Sequence, residues 1–349
     1  MKSRHWMPLL IVLLMLAAVA FIVRDAGRLG GMEPELYRVR PVGIMGTTSE
    51  LTVVAPRSRS DLATTALGDA EAALRNVEAR MSRHLEASPI SRLNAAPAGR
   101  VVELPADVME MLHVSRLMGE VSDGAFDATC LPLLRAWKQA GQDKRQPSDE
   151  ELAAAMALVG WQHFDLRAGG VRKDADGAGI DLGGIAKGYA VDQAAKAMQA
   201  AGIGSGIAQA GGDTRCFGVR PDGTAWIIGV LNPFDKTMLA TLALRDAAVS
   251  TSGNYERYVE IDGKRYSHIV DPRTGRPAEM TPSVTVVAKT AVIADAWATA
   301  LSVLGVDGLK RLKAADGVEA MIVVGGPDDY RLEMTDGFRK LMTEQPKSD

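Results

Sequence analysis

The sequence predicts an α+β fold with an antiparallel-sheet core and packed helices. Three observations carry that reading. Short runs rich in β-branched and aromatic residues cluster between two alanine-rich helical stretches, instead of alternating with helices as a βαβ series would. Asp262-Gly263 separates two of those runs as a hairpin turn. Apolar residues at three- and four-residue spacings mark helices on both sides of the strand-rich region. With 47% hydrophobic and 24% charged residues in 349 positions, the chain is neither disordered nor a small disulfide scaffold. Its 40 Lys and Arg nearly balance 43 Asp and Glu, and no basic run carries interleaved aromatics, so nothing points to a nucleic-acid partner. Cys130 and Cys216 lack a nearby Cys or His at metal spacing, which leaves zinc, haem and iron–sulfur chemistry without support.

Taken in order, the chain opens with Lys2, Arg4 and His5, then an uncharged apolar run from Met7 to Val23, closed by Arg24 and Asp25. This has the form of a targeting segment over 1–25. As a helix at about 1.5 Å per residue the run would span about 26 Å, the low end for crossing a bilayer. Ala18-Val19-Ala20 also offers a small-residue cleavage site, so a cleaved signal and a retained membrane anchor both fit. No cysteine follows the run, which excludes a lipid-anchored lipoprotein, and the basic start predicts export of the rest. Residues 26–40, with Gly27, Gly30, Gly31 and Pro34, read as a linker. One mildly acidic domain over 41–345 is the simplest account of the remainder, with a two-lobed body as the fallback.

Within that domain, a strand is expected over 48–54 and a helix over 61–81, with Leu62, Ala66, Ala70, Ala73, Leu74 and Val77 on one side. A second helix over 107–121 presents Val108, Met111, Leu112, Ser115 and Met118. A third begins at Ser148, where Glu151 completes a capping box, and Gly160 is its expected end. Alanine content and the spacing of Ile185, Tyr189, Ala190, Ala194 and Met198 give a helix over 184–201. Strands are expected over 225–230, 238–244, 255–261, 283–287 and 320–324, and an apolar helix over 291–304 ended by Gly305.

Three segments carry chemistry. Asp181-Leu182-Gly183-Gly184-Ile185-Ala186-Lys187 puts a carboxylate at an expected strand end, glycines in the turn and a lysine in the first turns of a helix. Close-approaching backbone, unpaired amides and a point charge suit a phosphate. The spacing is neither that of the P-loop nor GxGxxG, and alone it fits better a plain helix start with packing glycines and a solvated lysine. On the 291–304 helix, the four-residue step from Asp295 to Thr299 sets a carboxylate and a hydroxyl on one face, an oxygen pair suited to Mg²⁺ or Ca²⁺ and equally to local hydrogen bonding. The hydroxyl-rich 250–255 and 266–275 segments read as a site on loops, and His268 is there a candidate general base for a hydroxyl nucleophile. His5, His113 and His163 read as parts of the export signal, a helix and an aromatic patch.

Together with Gly211-Gly212-Asp213, Met45-Gly46-Thr47, Met81-Ser82 through Ser88, Ser91 and Asn94, and Asp123-Gly124-Ala125-Phe126-Asp127-Ala128-Thr129, these segments resemble the ApbE family of flavin transferases. The resemblance extends from Val42 to Gly305. It implies a T-fold-related architecture and an FAD:protein FMN transferase, which moves the FMN half of FAD to a Thr or Ser hydroxyl of an acceptor flavoprotein, with Mg²⁺ as cofactor and AMP as product. By the family pattern Asp295, Thr299 and a backbone oxygen of Gly184 would hold the metal. Met45, Ala125, Phe126, Asp127, Asp181, Lys187 and Ile269 would line the FAD, and His268 would be the base. The sequence departs from the family at 83–87. His84 stands where members usually carry an aromatic residue; its planar imidazole would replace a stacking contact, although a solvated loop residue fits the position better. The family also implies an acceptor in a membrane-bound or exported redox complex, and hence a protein at the periplasmic face of a bacterial inner membrane or, after signal cleavage, in the soluble periplasm. Two other readings share the same residues: an FAD pyrophosphatase releasing FMN and AMP, and a non-catalytic exported flavin-binding protein.

Overall fold

The computed structural model describes residues 33–253, 258–278, 281–312 and 317–343; the apolar amino-terminal segment lies outside them. In chain order the elements are β1 (Pro34–Val39), β2 (Ser49–Pro56), α1 (Ser60–Met81), α2 (Pro89–Ala95), β3 (Val101–Glu103), α3 (Ala106–Val121), α4 (Leu131–Asp143) and α5 (Asp149–Met156). There follow β4 (Phe164–Arg167), β5 (Gly170–Lys173), α6 (Ala186–Ala200), β6 (Gly206–Ala210), β7 (Asp213–Phe217), β8 (Trp226–Leu231), β9 (Met238–Leu244) and β10 (Ala248–Gly253). The chain continues through β11 (Tyr258–Ile261), β12 (Lys264–Ser267), β13 (Ser283–Ala288), α7 (Ala291–Leu304), β14 (Glu319–Val324), β15 (Arg331–Met334) and α8 (Asp336–Leu341).

An eight-stranded sheet in the order β1-β2-β6-β7-β10-β13-β14-β15, antiparallel at every pairing, forms the centre. Alternating side chains divide its two faces. Val284, Val286, Ala320 and Ile322 join α1, α6 and α7 in the main core, while Val287, Met321 and Cys216 face a smaller cluster with Trp226, Leu242 and Phe338 from β8, β9 and α8. All six residues of β13 are buried because both its faces are covered. Burial of each large apolar side chain contributes roughly 1.5–3 kcal/mol. A third cluster joins Leu133 and Trp137 of α4 to Leu152 of α5 and to Ile261 and Tyr266 of the β11–β12 hairpin. At that hairpin Asp262 and Gly263 both take positive φ, 51° and 74°, as a type I′ turn requires. Smaller sheets pair β8 with β9 and order β3-β5-β4.

The helices over 61–81, 107–121 and 291–304 lie where their periodicity put them, within a residue. Ser148 and Glu151 form the expected capping box. Differences arise where main-chain pairing or short caps decide the structure. Pro34–Val39, read as part of a linker, is the edge strand β1, because an edge needs backbone partners on one side only and Tyr37 and Val39 suffice to pack against the core. The helix after Ser148 ends at Met156, and Gly160, at φ 121°, lies beyond it. Helix α2, opened by Ser88 and Pro89, and helix α4, with Pro132 in its first turn, were not anticipated. Ser250 to Gly253 lie on strand β10, not on a loop. Asp181 follows an isolated bridge at Gly179, not a regular strand. The stretch Ala291–Arg311 is apolar enough to cross a bilayer, but α7 is buried against β10, β13 and α6.

Candidate functional site

Helices α6 and α7 cross at a glycine. A Cβ at Gly188 would lie 2.2 Å from the Ala291 carbonyl oxygen and 2.9 Å from Asp295 Cβ, so the close approach that sets Asp295 against α6 needs the missing side chain. There the Gly188 N–H donates to Asp295 Oδ2 at 3.0 Å. One residue earlier, Lys187 reaches both Asp295 oxygens at 3.2 Å and Asp213 Oδ2 at 2.7 Å. One turn along α7, Thr299 meets Gly184: a Cβ at 184 would stand 2.9 Å from Thr299 Oγ1 and 3.2 Å from Phe126 Cε2. Gly184, Lys187, Asp295, Thr299 and Phe126 are thus one cluster.

The amides read from sequence as free for an anion are mostly engaged. Gly183 N–H donates to Asp181 Oδ1 at 2.7 Å, and those of Ile185 and Ala186 donate to the Leu182 carbonyl. Asp181 Oδ2 accepts from Arg83 Nε at 2.6 Å, and Asp181 N–H donates to the Ala128 carbonyl, which ties this turn to the 125–129 loop. In that loop Ala125 and Phe126 are buried, Ser122 Oγ accepts the Phe126 N–H, and Asp127 Oδ1 accepts both the N–H and the hydroxyl of Thr129. Burial pushes the Asp127 carboxyl up, against the lowering effect of those bonds.

Met45 sits in a tight turn, with positive φ at both Met45 (52°) and Gly46 (62°). For a methionine this conformation is strained by about 1 kcal/mol or more. Glu78 of α1 holds it, accepting the Met45 N–H at 2.7 Å. The turn abuts the Gly211-Gly212 hairpin between β6 and β7, where a Cβ at Gly211 would lie 2.8 Å from Thr47 Oγ1. His268 is exposed just after β12, and Ile269 beside it is buried with its N–H on Ser267 Oγ. Their loop is braced by the Asp271–Arg273 pair and by Trp137 Nε1 donating to the Gly275 carbonyl. Arg273 lies against Gly124, so the loop adjoins the 125–127 segment. His84 is exposed after α1, and its neighbour Arg83 is the side chain that reaches Asp181. Asn254 and Tyr255 fall outside the described residues.

Arg83 and Glu78 were not singled out as site residues from sequence, and Asp213 and Ser250 carried no individual role beyond the Gly211-Gly212-Asp213 motif and the hydroxyl-rich 250–255 segment. The sequence signal at Asp213 is an acid directly after two glycines, while its burial and its place at the start of β7 come from the fold; Arg83 and Glu78 carried no signal, being charges on or beside a solvated helix end. Burial and the negative charge of Asp213 push the Asp295 carboxyl up to about 7, with Lys187 and Gly188 opposing. Burial alone would push the Lys187 ammonium down, yet Asp213 and Asp295 hold it above its ordinary range. When ionised, two buried carboxylates share one ammonium, leaving a negative charge in excess. Asp213 Oδ2 is close enough for an ion pair but receives no directed hydrogen bond, and Thr299 Oγ1 makes none among the described residues. Oxygen donors with surplus negative charge fit a hard cation such as Mg²⁺, which takes few protein carboxylates. No group of three His, Cys, Asp or Glu side chains converges among the described residues.

The ApbE family model matches residues 45–322. A FAD:protein FMN transferase of Vibrio cholerae is 29% identical over 347 residues, covering 98% of this chain and 100% of its own. One of Escherichia coli is 31% identical over 274 residues, 76% of this chain and 78% of its own. Among solved structures, the flavinyl transferase ApbE of Pseudomonas stutzeri in its apo form aligns with a TM-score of 0.77 at 32% identity, over 88% of this chain and 97% of that one. The mixed α/β fold with antiparallel sheets, the clustered motifs and these likenesses together show that the chain belongs to the ApbE family.

Proposed function

We propose that this protein is an FAD:protein FMN transferase that, with Mg²⁺, moves the FMN half of FAD to a Thr or Ser hydroxyl of an acceptor protein and releases AMP. The observation that carries this reading is the buried Asp295, shared between Lys187 and the Gly188 amide, with Thr299 one turn away against Gly184. Asp295, Thr299 and the Gly184 backbone would hold the metal. The chemistry that Mg²⁺ supplies when bound is neutralisation of diphosphate charge. Lys187 adds a cation to the same site. Ala125, Phe126 and Ile269 offer apolar surface for the flavin, with Asp127, Asp181 and the Met45 turn offering polar and backbone contacts at its edges. In the transfer, the acceptor oxygen forms a bond to the phosphorus of FMN as the bond to the AMP oxygen breaks. His268 would take the hydroxyl proton, and AMP leaves with the electron pair. The exposed position of His268 suits a base that must meet a second protein.

The apolar 7–23 segment supports export, with the domain at the periplasmic face of a bacterial inner membrane or free in the periplasm, and an acceptor in an exported or membrane-bound redox complex. The test is to incubate the protein with FAD, Mg²⁺ and a candidate acceptor, then record the acceptor's intact mass and free AMP. A gain of one FMN per acceptor with equimolar AMP is expected. Free FMN on an unmodified acceptor would instead make the protein a pyrophosphatase, and intact FAD a carrier.

A further inference from the structure

Among the described residues, Lys187 is the side chain that links Asp213 to Asp295, to which the family pattern gives metal-binding work. Asp213 opens β7, is fully buried, and is fixed twice: by the two-residue Gly211-Gly212 turn before it, and by Ser250, its register partner on β10, whose Oγ donates to Asp213 Oδ1. A Cβ at Gly212 would lie 2.5 Å from the Thr251 carbonyl oxygen, so the turn is pressed onto β10. Against this fixed acid lies a flexible lysine whose Nζ is 2.7 Å from Asp213 and 3.2 Å from Asp295. The ammonium sits nearer to the acid that has no other cationic work.

We propose that Asp213, locked by Ser250, is a positioning residue that shares the Lys187 ammonium with Asp295, and so weakens the lysine's hold on the Asp295 oxygens that a divalent cation would take. Buried charges keep a partner wherever one is in reach. A Lys187 that loses Asp213 has Asp295 as its remaining carboxylate, and a lysine fully paired there competes with the metal for the same oxygens. The inference rests on the metal reading of Asp295 under the proposed function.

A double-mutant cycle tests it, read as Mn²⁺ binding to the FAD-free protein by calorimetry and by the electron paramagnetic resonance signal of free Mn²⁺. Asp213→Asn should weaken Mn²⁺ binding roughly tenfold in the parent, within the span that coupled neighbours show. In a Lys187→Met background the same substitution should change binding by less than about twofold, because no ammonium remains to be held. An equal loss in both backgrounds would mean that Asp213 acts through its own charge alone, and would overturn the proposal. Should Asp213→Asn fail to fold, as circular dichroism would show, Ser250→Ala repeats the cycle without changing the charge. Its expected loss is smaller, of the same sign, and again confined to the Lys187 background; no difference between backgrounds overturns the proposal. A parent that binds no Mn²⁺ defeats the metal reading and this inference together, whereas a parent that binds with no dependence on Lys187 defeats this inference alone.

Discussion

At the scale of single residues, the cluster assigns separable tasks. Asp295→Ala removes the buried acid that Lys187 and Gly188 hold, and Mg²⁺-dependent FMN transfer should fall to background in the acceptor mass assay; transfer at the parent rate would remove Asp295 from the metal site. His268→Ala should bind FAD with little change, followed by flavin fluorescence, yet transfer roughly 10²- to 10⁴-fold more slowly, the usual contribution of a positioned base. Glu78 tests the strained turn. Glu78→Ala releases the Met45 N–H and should raise KM for FAD with kcat nearly unchanged, while Glu78→Gln, which keeps an acceptor oxygen, should restore most of the loss. Equal effects of the two substitutions would show that the charge of Glu78, and not its hydrogen bond, matters.

At the scale of elements, the α6–α7 crossing decides the geometry. Gly188→Ala drives a methyl into the Ala291 carbonyl and should cost about 2 kcal/mol or more in denaturant unfolding. Gly68 in α1 offers the contrast: it is exposed, and a Cβ there meets nothing within 4 Å, so Gly68→Ala should stabilise by roughly 0.5–1 kcal/mol. If both changes destabilised alike, the crossing would not be the reason for the glycine. Helix α7 is further placed by Asp192 of α6, whose two oxygens accept the N–H groups of Ala291 and Val292 at 3.0 Å, a cap supplied from a neighbouring helix. Asp295 and Thr299 inherit their position from that cap, since one rigid helix carries all four residues.

At the scale of the whole molecule, the eight-stranded sheet separates two apolar layers, and the candidate site lies on the layer that holds α6 and α7. The 1–25 segment stands apart from that architecture in sequence, so its removal should leave FMN transfer by the purified domain intact while abolishing delivery to the membrane or periplasm, as cell fractionation would report. Loss of transfer on that deletion would mean that the segment serves catalysis.

The order of amino acids was enough to specify several features that local spacing controls. The periodicity of the 61–81 and 291–304 helices, the Ser148 capping box, the Asp262-Gly263 hairpin and the Asp295–Thr299 step are all set by residues within a few positions of one another, where dihedral preference and side-chain period act directly. Only the folded chain reveals that Lys187 bridges Asp213 and Asp295, that Arg83 reaches Asp181, and that Glu78 holds Met45. These partners are distant in the chain. They meet only once sheet register sets Asp213 beside Ser250 and a glycine lets two helices touch, because a buried charge takes its partner from whatever the folded core brings within about 3 Å.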